Sequence, residues 1–199
     1  MSAFRKLAVA AAILASVHSA EAMDYSTYVH NGRVAIIAQG YIERGDADRF
    51  EAFLKTMPHG WLGQTGNLVF FDSPGGYVAE GLAIGAVVER WHIMTGVGSR
   101  CTSACVLPWA AGERKYSIEG HCIGVHSAWL DEVATKAPKA LAAEARKNLA
   151  GTANLGMAEW FWDHGAPSVV TKKIFHTPSS DIYCLTDEDL AAWNVKVMP

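Results

Sequence analysis

The stretch Leu68-Val69-Phe70-Phe71-Asp72-Ser73-Pro74-Gly75-Gly76 constrains the fold more than any other part of the chain. Its apolar start, with no alternation, suits a strand covered on both sides, as in a parallel sheet. Ser73-Pro74-Gly75-Gly76 then forces a sharp turn. Its two glycines let the backbone take positive φ and come close to a ligand. Val78 to Arg90 follows as an apolar helix rich in Ala and Gly. Strand, tight turn and helix in that order make one βα unit.

Other segments repeat the alternation. Val34 to Ala38 is a β-branched run ended by Gly40. Asp46 is expected to cap a helix through Lys55 that carries Phe50, Phe53 and Leu54 on one face. Ile93 to Gly96 reads as a third strand. Ser103 to Ala111 reads as a short helix stopped by Gly112, and Ile123 to His126 as a fourth strand. Pro138 to Leu149 and Asn154 to Asp163 read as two helices. Asp187 to Trp193 is a last one, with Thr186 as its cap. Repeated βα units predict an α/β fold: a mostly parallel sheet covered by helices. No repeat, low-complexity stretch or linker interrupts it, so residues 23–199 are expected to form one domain.

The first residues read differently. Arg5 and Lys6 precede the apolar run Leu7 to Val17, and Ala20-Glu21-Ala22 supplies small residues at the cleavage positions. That order is a secretory signal peptide, residues 1–22, cleaved after Ala22. The apolar run is shorter than the roughly 20 residues a bilayer span needs. The mature chain is therefore expected in the periplasm or outside the cell. With 17 basic and 20 acidic side chains the formal charge is −3. No basic stripe is present, which argues against a nucleic-acid partner. Cys101, Cys105, Cys122 and Cys184 in an oxidising compartment predict two disulfides, with all three pairings open. Cys101, Cys105 and Cys122 with His121 and His126 contain zinc-ligand types. However, His121 and Cys122 are neighbours on a strand and point to opposite faces, and oxidation favours disulfides. No metal or other cofactor is expected.

Three segments carry chemistry. The N–H groups of the Gly75-Gly76 turn can face an anion or a developing oxyanion. In Cys101-Thr102-Ser103-Ala104-Cys105, a serine opens a helix, where the partial positive charge favours an alkoxide and the Ala104 N–H points at the same place. Taken alone, Ser103 reads as no more than a helix cap. His126 closes a strand at its C-terminal end, where active sites of parallel α/β sheets gather. His121 is an odd number of residues away and on the other face, so His126 is the better general base.

Together these residues resemble the Clp protease proteolytic subunit and its crotonase-fold relatives. The resemblance rests on Ser73-Pro74-Gly75-Gly76, on Ser103 through Ala111-Gly112, and on Ile123-Gly124-Val125-His126. It covers most of the chain from Val34 onward and is nearest to exported bacterial proteins with a Cys-x-Ser-Ala-Cys nucleophile segment. It implies a ClpP/crotonase-like fold of repeated ββα and βα units and a serine hydrolase, most naturally a peptidase. Ser103 would be the nucleophile, His126 the base, and Asp181 the third triad member; Asp163 is the fallback. Asp181 stands one residue further from Leu185 than the family's aspartate does. Gly75, Gly76 and Ala104 would form the oxyanion hole. Ala104-Cys105 after the serine, Pro108 inside its helix and the two flanking cysteines depart from ordinary Clp subunits. The resemblance implies a peptide or protein substrate and a homo-oligomer. Export argues against an ATPase partner. The other reading is a non-catalytic crotonase-fold binding or scaffold protein.

Overall fold

The apolar run at Leu68 becomes the third strand of a six-stranded sheet. The computed structural model describes residues 22–30, 32–58, 61, 67–128 and 139–199. In chain order they form β1 (Asp24–His30), β2 (Arg33–Gln39), α1 (Asp46–Leu54), β3 (Leu68–Ser73), α2 (Val78–Arg90) and β4 (Met94–Thr102). A 3-10 turn (Ser103–Cys105) then leads into α3 (Val106–Ala110), followed by β5 (Tyr116–Ile118) and β6 (Cys122–Val125). Last come α4 (Lys139–Asp163), α5 (Ser168–His176), β7 (Tyr183–Cys184), α6 (Asp187–Ala192) and β8 (Lys196–Met198). The main sheet runs β1-β2-β3-β4-β6-β7, and β5 pairs with β8 apart from it. The pairs β2–β3, β3–β4 and β4–β6 are parallel, while β1 and β7 join antiparallel at the two edges. This is the mostly parallel α/β arrangement that the βα pattern predicts.

The sheet is not covered equally. Along β3, Val69, Phe71 and Ser73 are buried while Leu68, Phe70 and Asp72 are half-buried. Ile36, Ala38, Val97, Phe50, Ile84, Val88, Leu107 and Ile123 bury fully and belong to the same core. The strand expected to be apolar on both sides thus has one dry face and one partly wet one.

Several expected elements change shape. The helices expected at Pro138–Leu149 and Asn154–Asp163 are one helix, α4, because Gly151 and Gly156 do not break it. The strand expected at Ile93–Gly96 runs on to Thr102, so it reaches the serine. The helix expected at Ser103–Ala111 is split, and Pro108 falls in the first turn of α3, where its missing N–H costs no intrahelical bond. Asp46 is not the cap of α1. Gly45, with φ 88°, precedes it, and the buried Asp46 carboxylate accepts the Glu43 N–H at 2.5 Å and pairs with Arg49. Thr186 caps α6 as expected, in a capping box with Asp189. The proposed signal peptide lies outside the described residues, except Ala22.

Candidate active site

Parallel pairing puts the C-terminal ends of β3, β4 and β6 on one edge of the sheet. The chain leaves β3 into Pro74-Gly75-Gly76, β4 into Ser103, and β6 into His126. All three chemistry-bearing segments therefore exit on the same side. In the β4–β6 register Thr102 pairs with Gly124, one residue before Ser103 and two before His126. His121 precedes Cys122, at the opposite end of β6, and its Nδ1 is buried without a hydrogen-bond partner among the described residues.

Ser103 has φ 58°, a left-handed conformation rare for a residue with a side chain. Holding it there costs on the order of 1–3 kcal/mol, which the surroundings must supply. A strained strand-to-helix turn is a known way to lift a serine hydroxyl out of the backbone around it. Ser103 is half-buried between fully buried neighbours on the C-terminal side and Thr102 on the other. A disulfide between Cys101 and Cys105, both fully buried with Cα atoms 5.2 Å apart, closes the turn around it. Among the described residues the Ser103 hydroxyl makes no hydrogen bond, to His126 or otherwise.

The glycine turn is pressed against this serine. A Cβ on Gly75 would lie 2.6 Å from the Ser103 Cβ and 3.0 Å from the Ala104 nitrogen, and Gly75 has φ 100°. A Cβ on Gly76 would lie 2.1 Å from the Ile42 carbonyl oxygen. No other residue fits either place. The Gly75 N–H donates to Ser73 Oγ at 3.0 Å, so that amide is engaged within the turn. Ile42 N–H donates to the Gly75 carbonyl, and Tyr77 N–H to the Ile42 carbonyl, each at 2.9 Å. In such a parallel bridge the central residue's own N–H points to the other side. For Gly76 that is the β4 side, where Ser103 and Ala104 lie. Thr102 Oγ1 donates to the Pro74 carbonyl at 3.0 Å and fastens the turn to β4. The helix α2 begins just after the turn, and its positive end adds to the field there.

His126 is half-buried, and its Nδ1 lies 2.8 Å from the Ser127 carbonyl oxygen. A second disulfide, Cys122–Cys184 with Cα atoms 5.2 Å apart, joins the start of β6 to β7. All four thiols are thus spent in disulfides and offer no zinc ligand. Asp181 is exposed, and its Oδ1 accepts the Ile182 N–H at 2.8 Å. No hydrogen bond or ion pair among the described residues joins Asp181 or Asp163 to His126. A groove lined by Val29, Val34, Phe53 and Met57 lies between the first two strands and α1 and includes none of the residues above. The signal missed in the sequence is Thr102: a threonine before the serine reads as ordinary β propensity, and its bond to Pro74 depends on the strand pairing.

No family model matches the sequence, and no curated protein matches it. Among solved structures, the chain is similar to a variant of ClpP1 from Listeria monocytogenes, with a TM-score of 0.62 and 13% identity. The match covers 82% of this chain and 90% of that one. At this identity the likeness is one of fold.

Proposed function

We propose that this chain is an exported serine hydrolase, most naturally a peptidase, with Ser103 as nucleophile and His126 as general base. The observation that carries the reading is Ser103 at positive φ, at the end of β4, with Gly75 packed against it and the Ala104 nitrogen beside that glycine. His126 leaves the neighbouring strand on the same edge. His126 Nε2 would take the Ser103 hydroxyl proton while Oγ bonds to the acyl carbon and the carbonyl electron pair moves onto oxygen. The Gly76 and Ala104 amides would hold that oxyanion. Collapse would expel the leaving group, which takes the proton from Nε2, and water would then release the acyl group by the same steps. Asp181 is not part of this proposal. The ClpP-like fold and the motif resemblance favour a peptide or protein substrate, and a homo-oligomer belongs to the same reading. Export is supported by the two disulfides. No helix among the described residues is long and apolar enough to cross a membrane.

A fluorophosphonate probe on the oxidised protein tests the proposal. Labelling should map to Ser103 and vanish in Ser103→Ala, and His126→Ala should slow it by at least a hundredfold. Labelling that survives in Ser103→Ala, or none in the oxidised wild type, overturns it. The second outcome would favour the binding or scaffold reading.

A further inference from the structure

We propose that the main-chain carbonyl of Ser127, and not a carboxylate, orients His126, so that the site works as a Ser-His dyad. The inference rests on the hydrolase reading above for its purpose but on separate atoms for its evidence. A carbonyl oxygen only accepts hydrogen bonds, so the 2.8 Å contact requires a proton on Nδ1. In the neutral ring Nε2 then keeps its lone pair, which is what a base acting on Ser103 needs. The carbonyl is itself held in place: the Ala128 N–H of the same peptide unit donates to Asn154 Oδ1 at 2.6 Å, and the preceding Ser127 N–H donates to the Thr177 carbonyl at 2.9 Å.

The neighbouring edge strand explains why Asp181 does not do this job. In the β6–β7 register Gly124 pairs with Cys184 and Val125 with Tyr183. Continuing by one residue sets His126 opposite Ile182. A Cβ on Gly124 would lie 2.5 Å from Ile182 Cγ2, so the Ile182 side chain covers the face shared by Gly124 and His126. Asp181, the next residue, lies in the turn that precedes β7, where its N–H donates to the Pro178 carbonyl at 2.9 Å. Its carboxylate is exposed and bonded to the Ile182 N–H. The carboxylate is thus engaged by its neighbour's N–H and open to solvent, with no bond to the histidine among the described residues.

Two measurements on Asp181→Asn and Asp181→Ala decide the matter. The first is turnover of a chromogenic ester or peptide. The dyad predicts kcat/KM within about threefold of wild type, whereas a carboxylate triad predicts a loss of roughly ten-thousandfold. The second is the 15N shift pattern of the His126 ring in the oxidised full-length protein, assigned with His126→Gln. It should report the Nδ1–H tautomer in wild type and in both variants. A hundredfold or larger loss of kcat/KM with an unchanged melting temperature overturns the proposal. So does reversion of His126 to the Nε2–H tautomer in Asp181→Ala. The ring measurement needs no activity, so it stands even if the probe experiment rejects the hydrolase reading.

Discussion

Thr102 donates its hydroxyl to the carbonyl of Pro74 at 3.0 Å, across the gap between the strand that ends in the serine and the turn that carries the glycines. The Thr102 end of this bond is withdrawn from solvent, at 9% exposed, and the Pro74 end is half-buried. It sets where the Gly76 amide sits relative to Ser103 Oγ.

Removing it should affect the oxyanion more than the bound substrate. Thr102→Val leaves the Pro74 carbonyl without its donor, at about 1–3 kcal/mol. We expect kcat to fall about ten- to a hundredfold with KM within twofold, and Thr102→Ser to restore most of it. Steady-state kinetics of the two variants checks the split. Equal losses in both variants would assign Thr102 a packing role only.

The two glycines should fail differently. In Gly76→Ala the new methyl meets the Ile42 backbone, which has no room to yield. The variant should melt at least 10 °C lower or not fold. In Gly75→Ala the new methyl meets Ser103 Cβ at 2.6 Å and the Thr102 carbonyl oxygen at 2.7 Å, so the clash falls on the serine's own turn. Probe labelling there should fall more than a hundredfold while a cooperative unfolding transition survives. Calorimetry and labelling on the same samples separate the two.

The disulfides should also separate. Cys122–Cys184 spans 62 positions of sequence, and loop-closure entropy gives such a link about 4 kcal/mol. Cys101–Cys105 spans 4 and should contribute about 2 kcal/mol on the same basis. Cys122→Ser/Cys184→Ser should therefore lose the greater urea stability. Cys101→Ser/Cys105→Ser should lose the greater share of probe reactivity, because that link restrains the strained Ser103. The reverse ranking of reactivity would show that Ser103 holds its conformation without the bridge.

Lys115 gives a pH test of the fold. Lys115 is half-buried, its Nζ donates a long bond to the Gly112 carbonyl at 3.4 Å, and burial holds its pKa below the usual lysine range. The unfolded chain therefore binds more protons at this position, and its contribution to stability rises with pH through the window from the lowered value up to the ordinary one near about 10.4. Lys115→Met should be more stable than wild type at pH 7, with an advantage that shrinks towards pH 10. Urea midpoints at the two pH values check the sign.

Much of this was readable beforehand, for physical reasons that also explain the gaps. The α2 boundaries follow from a glycine turn before it and an apolar face along it, both local properties. Thr186 and Asp189 announce their capping box within one turn. By contrast β1, β5, β7, β8 and α5 are not evident from local sequence. The two residues of β7 exist because Cys184 and Tyr183 meet Gly124 and Val125, a long-range pairing. The disulfide pairing was open for the same reason. Ser103, His126 and the glycine turn could be proposed from motifs because each sits at a strand end. The place of Asp181 could not, since it lies in the turn before β7 and is set by that strand's long-range pairing with β6.

The bridge around Ser103 also bears on how the protein is made. The serine's left-handed turn lies inside a ring closed by sulfur, so reduction removes a restraint on it. Material produced in a reducing cytoplasm and material produced under oxidising conditions share every residue and differ at the one turn where the chemistry would occur. Inactivity in the first preparation would describe the preparation, and the second is the one in which Ser103 should be assayed.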